Sequence, residues 1–191
     1  MKTGTGKYQR GALLIEVLVT IVILAFGLLG LAGLEAKTQV SQVEAYQRAQ
    51  AVVLLNDMVS RINADRANAG SYVSASVFGT GHTDTSPCPA GPGAAHDECE
   101  WSVALKGAAE QNSSSKLGAM TGARGCVTQI QAPDPTPTVC TPGIYLVSVA
   151  WQGLSATAAP AAACAANAFG SNDAYRRVLS TRVVVGMPEC S

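Results

Sequence analysis

Glu16 is the only ionisable side chain between Ala12 and Leu34, inside the apolar run "ALLIEVLVTIVILAFGLLGLAGL". A carboxylate at the centre of a membrane helix costs about 2.5 to 3.5 kcal/mol on insertion scales, so a segment that served only as an anchor would gain by losing it. The chemistry open to such a group is ion pairing. Lys2, Lys7 and Arg10 stand just upstream as a basic flank with no acid among them, followed by Gly11.

Other reactive side chains lie beyond residue 80. His82, Cys88, His96 and Cys99 have the types that hold zinc, but their spacing is that of no recognised zinc module, and a disulfide beside two solvated histidines is the preferred reading. Six cysteines, all after residue 87, suit pairing in an oxidising compartment. Spacing alone leaves the connectivity open: Cys88 with Cys99 would close a Pro/Gly loop, Cys126 with Cys140 a hairpin, and Cys164 with Cys190 would tie the tail. With two histidines in one loop region and no Gly-x-Ser-x-Gly, His-Glu-x-x-His or phosphate-cradling glycine motif, the sequence points away from an enzyme, and it calls for no cofactor or metal. Arg176, Arg177 and Arg182 would be split between strand faces and read as a solvated edge. Trp101 and Trp151 read as core residues, with surface binding as the other use of such rings.

The elements that must carry these groups begin with a membrane span. Residues 12–34 form a helix of roughly 35 Å at 1.5 Å per residue, enough for a bilayer core of about 30 Å. The basic flank before it places the N-terminus in the cytoplasm and the body outside it. Net charge is zero overall, and without residues 1–11 the acids outnumber the bases, which excludes a strongly basic nucleic-acid-binding body. Beyond Leu34 the spacing of Val40, Val43, Val52, Leu55, Val59 and Ile62 continues the helix as an amphipathic one, with Gly70 as a left-handed stop. A single helix from about Ala12 to about Asn68 would measure about 85 Å.

The segment "GTGHTDTSPCPAGPG" from Gly79 reads as an exposed loop, and a short helix follows in which Trp101, Leu105 and Ala108 or Ala109 share a face, ending near Gly107. Three strands are predicted, "GCVTQIQ" from Gly125, "IYLVSVAWQ" from Ile144 and "YRRVLSTRVVVG" from Tyr175, with Tyr145, Val147, Val149 and Trp151 on one face of the middle one. The expected fold class is α+β: a long N-terminal helix packed on a small antiparallel sheet. The organisation is a leader at 1–11, a transmembrane half-helix at 12–34, an amphipathic half-helix at 35–70 and a head at 71–191.

A short basic leader ending in Gly11, followed by an apolar helix with Glu16 as the fifth residue beyond that glycine, resembles a type IV pilin precursor. Within that superfamily, "VILAFGLLGLAGLEA", "LLNDMVSRINADRANAG", "GARGCV" and "YLVSVAWQG" are similar to minor pilins of the PilV family, most clearly over residues 10–72. The resemblance implies that a prepilin peptidase cleaves between Gly11 and Ala12 and methylates the amine of Ala12, where most relatives carry Phe. It implies that Glu16 pairs with such an amine during assembly, and that Gly27, Gly30 and Gly33 permit close helix packing and local bending. The expected partners are other minor pilins, the major pilin, the prepilin peptidase and the assembly platform of the inner membrane, with nucleic acid not among them. The expected work is priming filament growth and capping the tip, in support of twitching motility and adhesion. A minor pseudopilin of type II secretion shares the leader and helix, a surface- or DNA-binding adhesin would use the head differently, and a plain single-pass anchor or uncleaved signal would use neither.

Overall fold

The structure, a computed structural model, describes residues 10–107, 111–112, 115–116 and 120–187. Its first element, α1 (Arg10–Ala64), contains no proline, and leucine, alanine, glutamine and arginine keep its helix propensity high. The chain divides into two compact units, one ending at Val43 and the other beginning at Glu44. In the first unit every residue from Leu14 to Val43 is exposed.

The helix ends where short polar side chains compete for its backbone. Asn63 donates its amide to the Val59 carbonyl at 2.9 Å, and Asn68 donates to the Asp65 carboxylate at 2.8 Å. A 3-10 turn over Arg66–Tyr72 follows. The expected helix end near Asn68 therefore comes about a turn too late. Gly70 does not act as a left-handed stop, because it lies inside the 3-10 turn with no positive φ.

In the second unit the remaining elements are β1 (Phe78–Gly79), α2 (Ala94–Leu105), a small hairpin of β2 (Gln111–Asn112) and β3 (Ser115–Lys116), then β4 (Arg124–Gln131), β5 (Gly143–Gln152) and β6 (Arg176–Val185). The main sheet is antiparallel in the order β1-β4-β5-β6. The three long strands lie within a residue of their predicted starts, and the architecture is α+β. Ala108 and Ala109 lie outside the described residues, while Gly107, with φ 82°, follows the end of α2.

The core forms on the sheet face that carries Val127, Tyr145, Val147, Val149 and Trp151. Against it pack Ala51, Leu55, Met58 and Ile62 of α1 and Trp101 and Leu105 of α2. Burial on α1 thus recurs at 47, 51, 55, 58 and 62, a helical three-and-four spacing that begins with Gln47. The predicted stripe is corrected at its N-terminal part: Val40, Val43 and Val52 are exposed, since the first two precede the head and the third faces away from it. Trp101 is fully buried and donates its indole N–H to the Leu54 carbonyl at 2.8 Å. Trp151 is buried too, so both rings serve the core.

Close packing leaves no room for a side chain on β4 beside Trp101. A Cβ on Gly125 would stand 2.2 Å from the Trp101 ring and 2.7 Å from Leu105 Cδ1. Gly79 combines φ 88° with a Cβ position 2.5 Å from the Ala123 carbonyl oxygen, so β1 closes on β4 only with glycine there.

The other sheet face is covered by the chain itself. Cys126, Ala150, Cys164, Ala165 and Phe169 form a second apolar cluster, because the Ala-rich connection between β5 and β6 folds back over the sheet.

Candidate functional site

Gly11 and Ala12 lie in the first turns of α1, and Glu16 is exposed a turn beyond Ala12. Gly27, Gly30 and Gly33 follow on the same helix, which runs through all three without a break. A Cβ on any of these glycines would meet no atom of the described residues within 4 Å. Nothing among the described residues therefore calls for a missing side chain at these positions. Thr20 and Thr38 donate their hydroxyls back to the Val17 and Glu35 carbonyls at 2.8 and 2.7 Å, so these two hydroxyls are satisfied within the helix. Among the described residues one helix, within Leu14–Ala64, is long and apolar enough to cross a membrane.

The head carries its charges as clamps between elements. Arg61 of α1 contacts Asp97 and Glu100 of α2 at 2.9 Å each and Asp57 on its own helix at 3.2 Å. Burial works against its charge, but hydrogen bonds to Glu100, Asp97 and Asp57 outweigh burial and hold the guanidinium more firmly protonated than usual. Tyr72 donates its hydroxyl to Asp97, and burial first, then that carboxylate, raises its pKa. Glu44 accepts from the Ser155 hydroxyl at 2.9 Å and from Arg177 at 3.2 Å, with the Ser155 hydrogen bond the main cause of its lowered pKa.

Arg176 corrects the reading of the three arginines as a solvated edge. Its side chain is 4% exposed; it pairs with Asp173 at 3.0 Å and donates to the carbonyls of Pro160, Ala162 and Cys164. The Ala-rich connection supplies acceptors that no strand periodicity could reveal. Arg177 is spent on Glu44 and Ser155, while Arg182 is exposed.

The disulfides revise the pairing in part. Cys88 joins Cys99 as expected, tying the Pro/Gly loop to α2, and with both thiols joined to each other a zinc site at His82, Cys88, His96 and Cys99 has lost two of its ligands. Cys126 joins Cys164 rather than Cys140, and Cys164 consequently does not hold Cys190. The reason is topological: the connection after β5 returns across Cys126, whereas the loop after β4 leads away from it. Cys140 is itself disulfide-bonded, and Cys190 lies outside the described residues. His82 Nδ1 sits 2.7 Å from Asp84, and Lys106 also contacts Asp84 and fixes the same loop. His96 Nδ1 lies 2.6 Å from the Pro89 carbonyl oxygen.

A groove of about 1040 Å³ opens at the end of the sheet where β5 begins and β6 leaves. Its walls include Arg66, Pro133, Pro135, Tyr145, Val185 and Met187. Sequence reasoning passed over it, because its walls come from four separate stretches of chain.

The chain matches no family model, no curated protein and no solved structure. The molecule is an α+β protein with a disulfide-braced antiparallel head and an N-terminal helix apolar enough to span a membrane.

Proposed function

We propose that the chain is a minor pilin precursor of a type IV pilus, similar to the PilV family, whose work is assembly. The observation that carries this reading is the long exposed apolar stretch of α1 with one acid near its start. Thirty consecutive exposed residues, 14–43, include Glu16, and the glycines at 27, 30 and 33 face empty space. A helix with unpartnered apolar surface and small residues suits a bundle of identical or related helices. Cleavage after Gly11 creates an ammonium group at Ala12, and Glu16 meets that amine or the amine of a neighbouring subunit entering the bundle. The pairing removes the cost of a lone carboxylate in lipid and sets the axial register at which a subunit docks.

In this account the N-terminus begins in the cytoplasm, the head faces the periplasm, and the assembled protein reaches the cell surface with the filament. It joins other minor pilins to prime growth and cap the tip, supporting twitching motility and adhesion. The experiment is to replace Glu16 by Ala and follow the protein into sheared pili. The variant should insert in the inner membrane normally and be lost from the filament; incorporation at the wild-type level would overturn the reading. Deletion of the chain should remove surface pili and twitching, whereas loss of enzyme secretion with pili intact would assign it to a type II secretion system.

A further inference from the structure

We propose that the groove at the β5/β6 end of the sheet binds a small aromatic carboxylate, its ring held against the apolar wall and its charge taken by Arg66 and Tyr145. The site belongs to the head alone and does not depend on filament assembly: a chain that binds such an acid yet never enters a pilus would defeat the assembly reading and leave the site standing.

Side chains on the core face of β5 recur at every second residue, and the position two before Tyr145 is Gly143. The row of side chains therefore stops at Tyr145, whose ring lies back over the glycine: a Cβ on Gly143 would stand 3.0 Å from Tyr145 Cε2 and 3.0 Å from its hydroxyl oxygen. Val185, the partner of Gly143 on β6, continues the wall. The 3-10 turn Arg66–Tyr72 brings Gly70 to the same hydroxyl, which lies 3.9 Å from where a Cβ on Gly70 would be. Two glycines thus flank the hydroxyl, and both line the groove.

Tyr145 supplies the observation that points to a ligand. Its side chain is buried, with the residue 2% exposed, yet its hydroxyl makes no hydrogen bond to any described residue. Polar groups on buried side chains are normally satisfied, and this one stands in the wall of a concavity of about 1040 Å³, the size of a small-molecule site.

The charge of the wall selects the ligand. Arg66 is its one charged side chain among the described residues. Arg66 is exposed and donates from Nε to the Asn63 carbonyl at 3.2 Å, which leaves its two terminal nitrogens without a described acid. The acids that flank the wall in sequence are engaged elsewhere. Asp65 accepts from the Asn68 amide at 2.8 Å, and Asp134 accepts from the Thr136 backbone N–H at 2.9 Å and from its hydroxyl. Arg66 and Gly70 are four residues apart on one turn, about 8 Å at 2.0 Å per residue, so a carboxylate set beside this turn has the guanidinium and the phenol at hand. Much of the remaining wall is apolar, with Pro133 and Pro135 from the loop after β4 and Val185 and Met187 from the end of β6. A thioether favours an aromatic neighbour, which makes a ring the fitting apolar body.

The test is titration of the full chain, held in nanodiscs of zwitterionic phosphatidylcholine, with 4-phenylbutanoate and with the neutral amide of the same acid, read by saturation-transfer NMR against empty nanodiscs. Saturable binding of the acid is expected, with the amide about tenfold weaker, as befits hydrogen bonds to a charged group. Arg66→Gln should remove that preference, and Tyr145→Phe should weaken the acid about tenfold. Because the Tyr145 hydroxyl bonds no described residue, Tyr145→Phe should keep the wild-type unfolding midpoint. No saturable binding beyond empty nanodiscs, equal binding of acid and amide, or binding untouched by both substitutions would overturn the proposal. A lower midpoint in Tyr145→Phe would overturn it too, by giving the hydroxyl to the fold, as would self-association that excludes the acid and is lost in Arg66→Gln.

Discussion

The buried Arg176 and the half-buried Glu98 show how single ionisable groups set the stability of the head. Arg176 is nearly inaccessible and supplies hydrogen bonds to Asp173 and to three carbonyls of the Ala-rich connection. Replacing it with Met removes the countercharge of Asp173 and the donors to three carbonyls, and a lower midpoint in denaturant unfolding is expected. Neutral behaviour would mean that the connection is held by Cys126–Cys164 alone. Glu98 presents the opposite case. One of its carboxylate oxygens is buried without a hydrogen-bond partner, and burial pushes its pKa from 4.5 up to about 7, against the attraction of His82 and aided by the repulsion of Asp97. A raised folded pKa makes its contribution fully present below about pH 4.5 and lost as pH rises through about 7. Glu98→Gln should therefore raise the melting temperature at pH 8 more than at pH 5, and an equal shift at both would refute the titration. Neither role was legible from the residues. Arg176 begins a strand whose alternation says nothing of the Ala-rich connection that covers it, and Glu98 sits among polar residues at the start of a helix.

At the scale of elements, the parts with a short period were the legible ones. The alternation at Tyr145, Val147, Val149 and Trp151 placed β5 and its core face correctly, because strand burial follows directly from every second side chain. The stripe on α1 was harder. Its apolar residues outnumber the positions that the head covers, so Val40, Val43 and Val52 fit the helical period and remain exposed while Gln47 and Ala51 are buried. Connectivity among cysteines was harder still, since the return of the Ala-rich connection over Cys126 is a long-range event. Element packing also makes firm predictions. Gly125→Ala would press a methyl group into the Trp101 ring, and overpacking of this kind costs about 1 to 3 kcal/mol; lower stability with altered tryptophan fluorescence is expected, and an unchanged spectrum would contradict the packing. Gly30→Ala should behave differently. An added Cβ meets nothing among the described residues and raises helix propensity by about 1 kcal/mol, so the isolated protein should be no less stable. Under the assembly reading its incorporation into pili should nevertheless fall, as a methyl group enters a close helix contact between subunits.

For the whole molecule, the two compact units have different partners available to them. The head satisfies its own apolar surface by packing α1, α2 and the sheet together, with disulfides bracing the long connections. The unit ending at Val43 buries nothing from Leu14 onward, and its apolar residues belong to a solvent or neighbour outside the chain. A membrane span would account for the leucines and isoleucines of that stretch, which is long and apolar enough for one. It does not account for Glu16, and the proposed function rests on supplying that group with an amine made by cleavage beside Gly11. Intact-protein mass spectrometry of the membrane-extracted chain, from cells with an active prepilin peptidase, tests this most directly. The account predicts a mature species beginning at Ala12 with a methylated amine, whereas a chain still carrying residues 1–11 would contradict it.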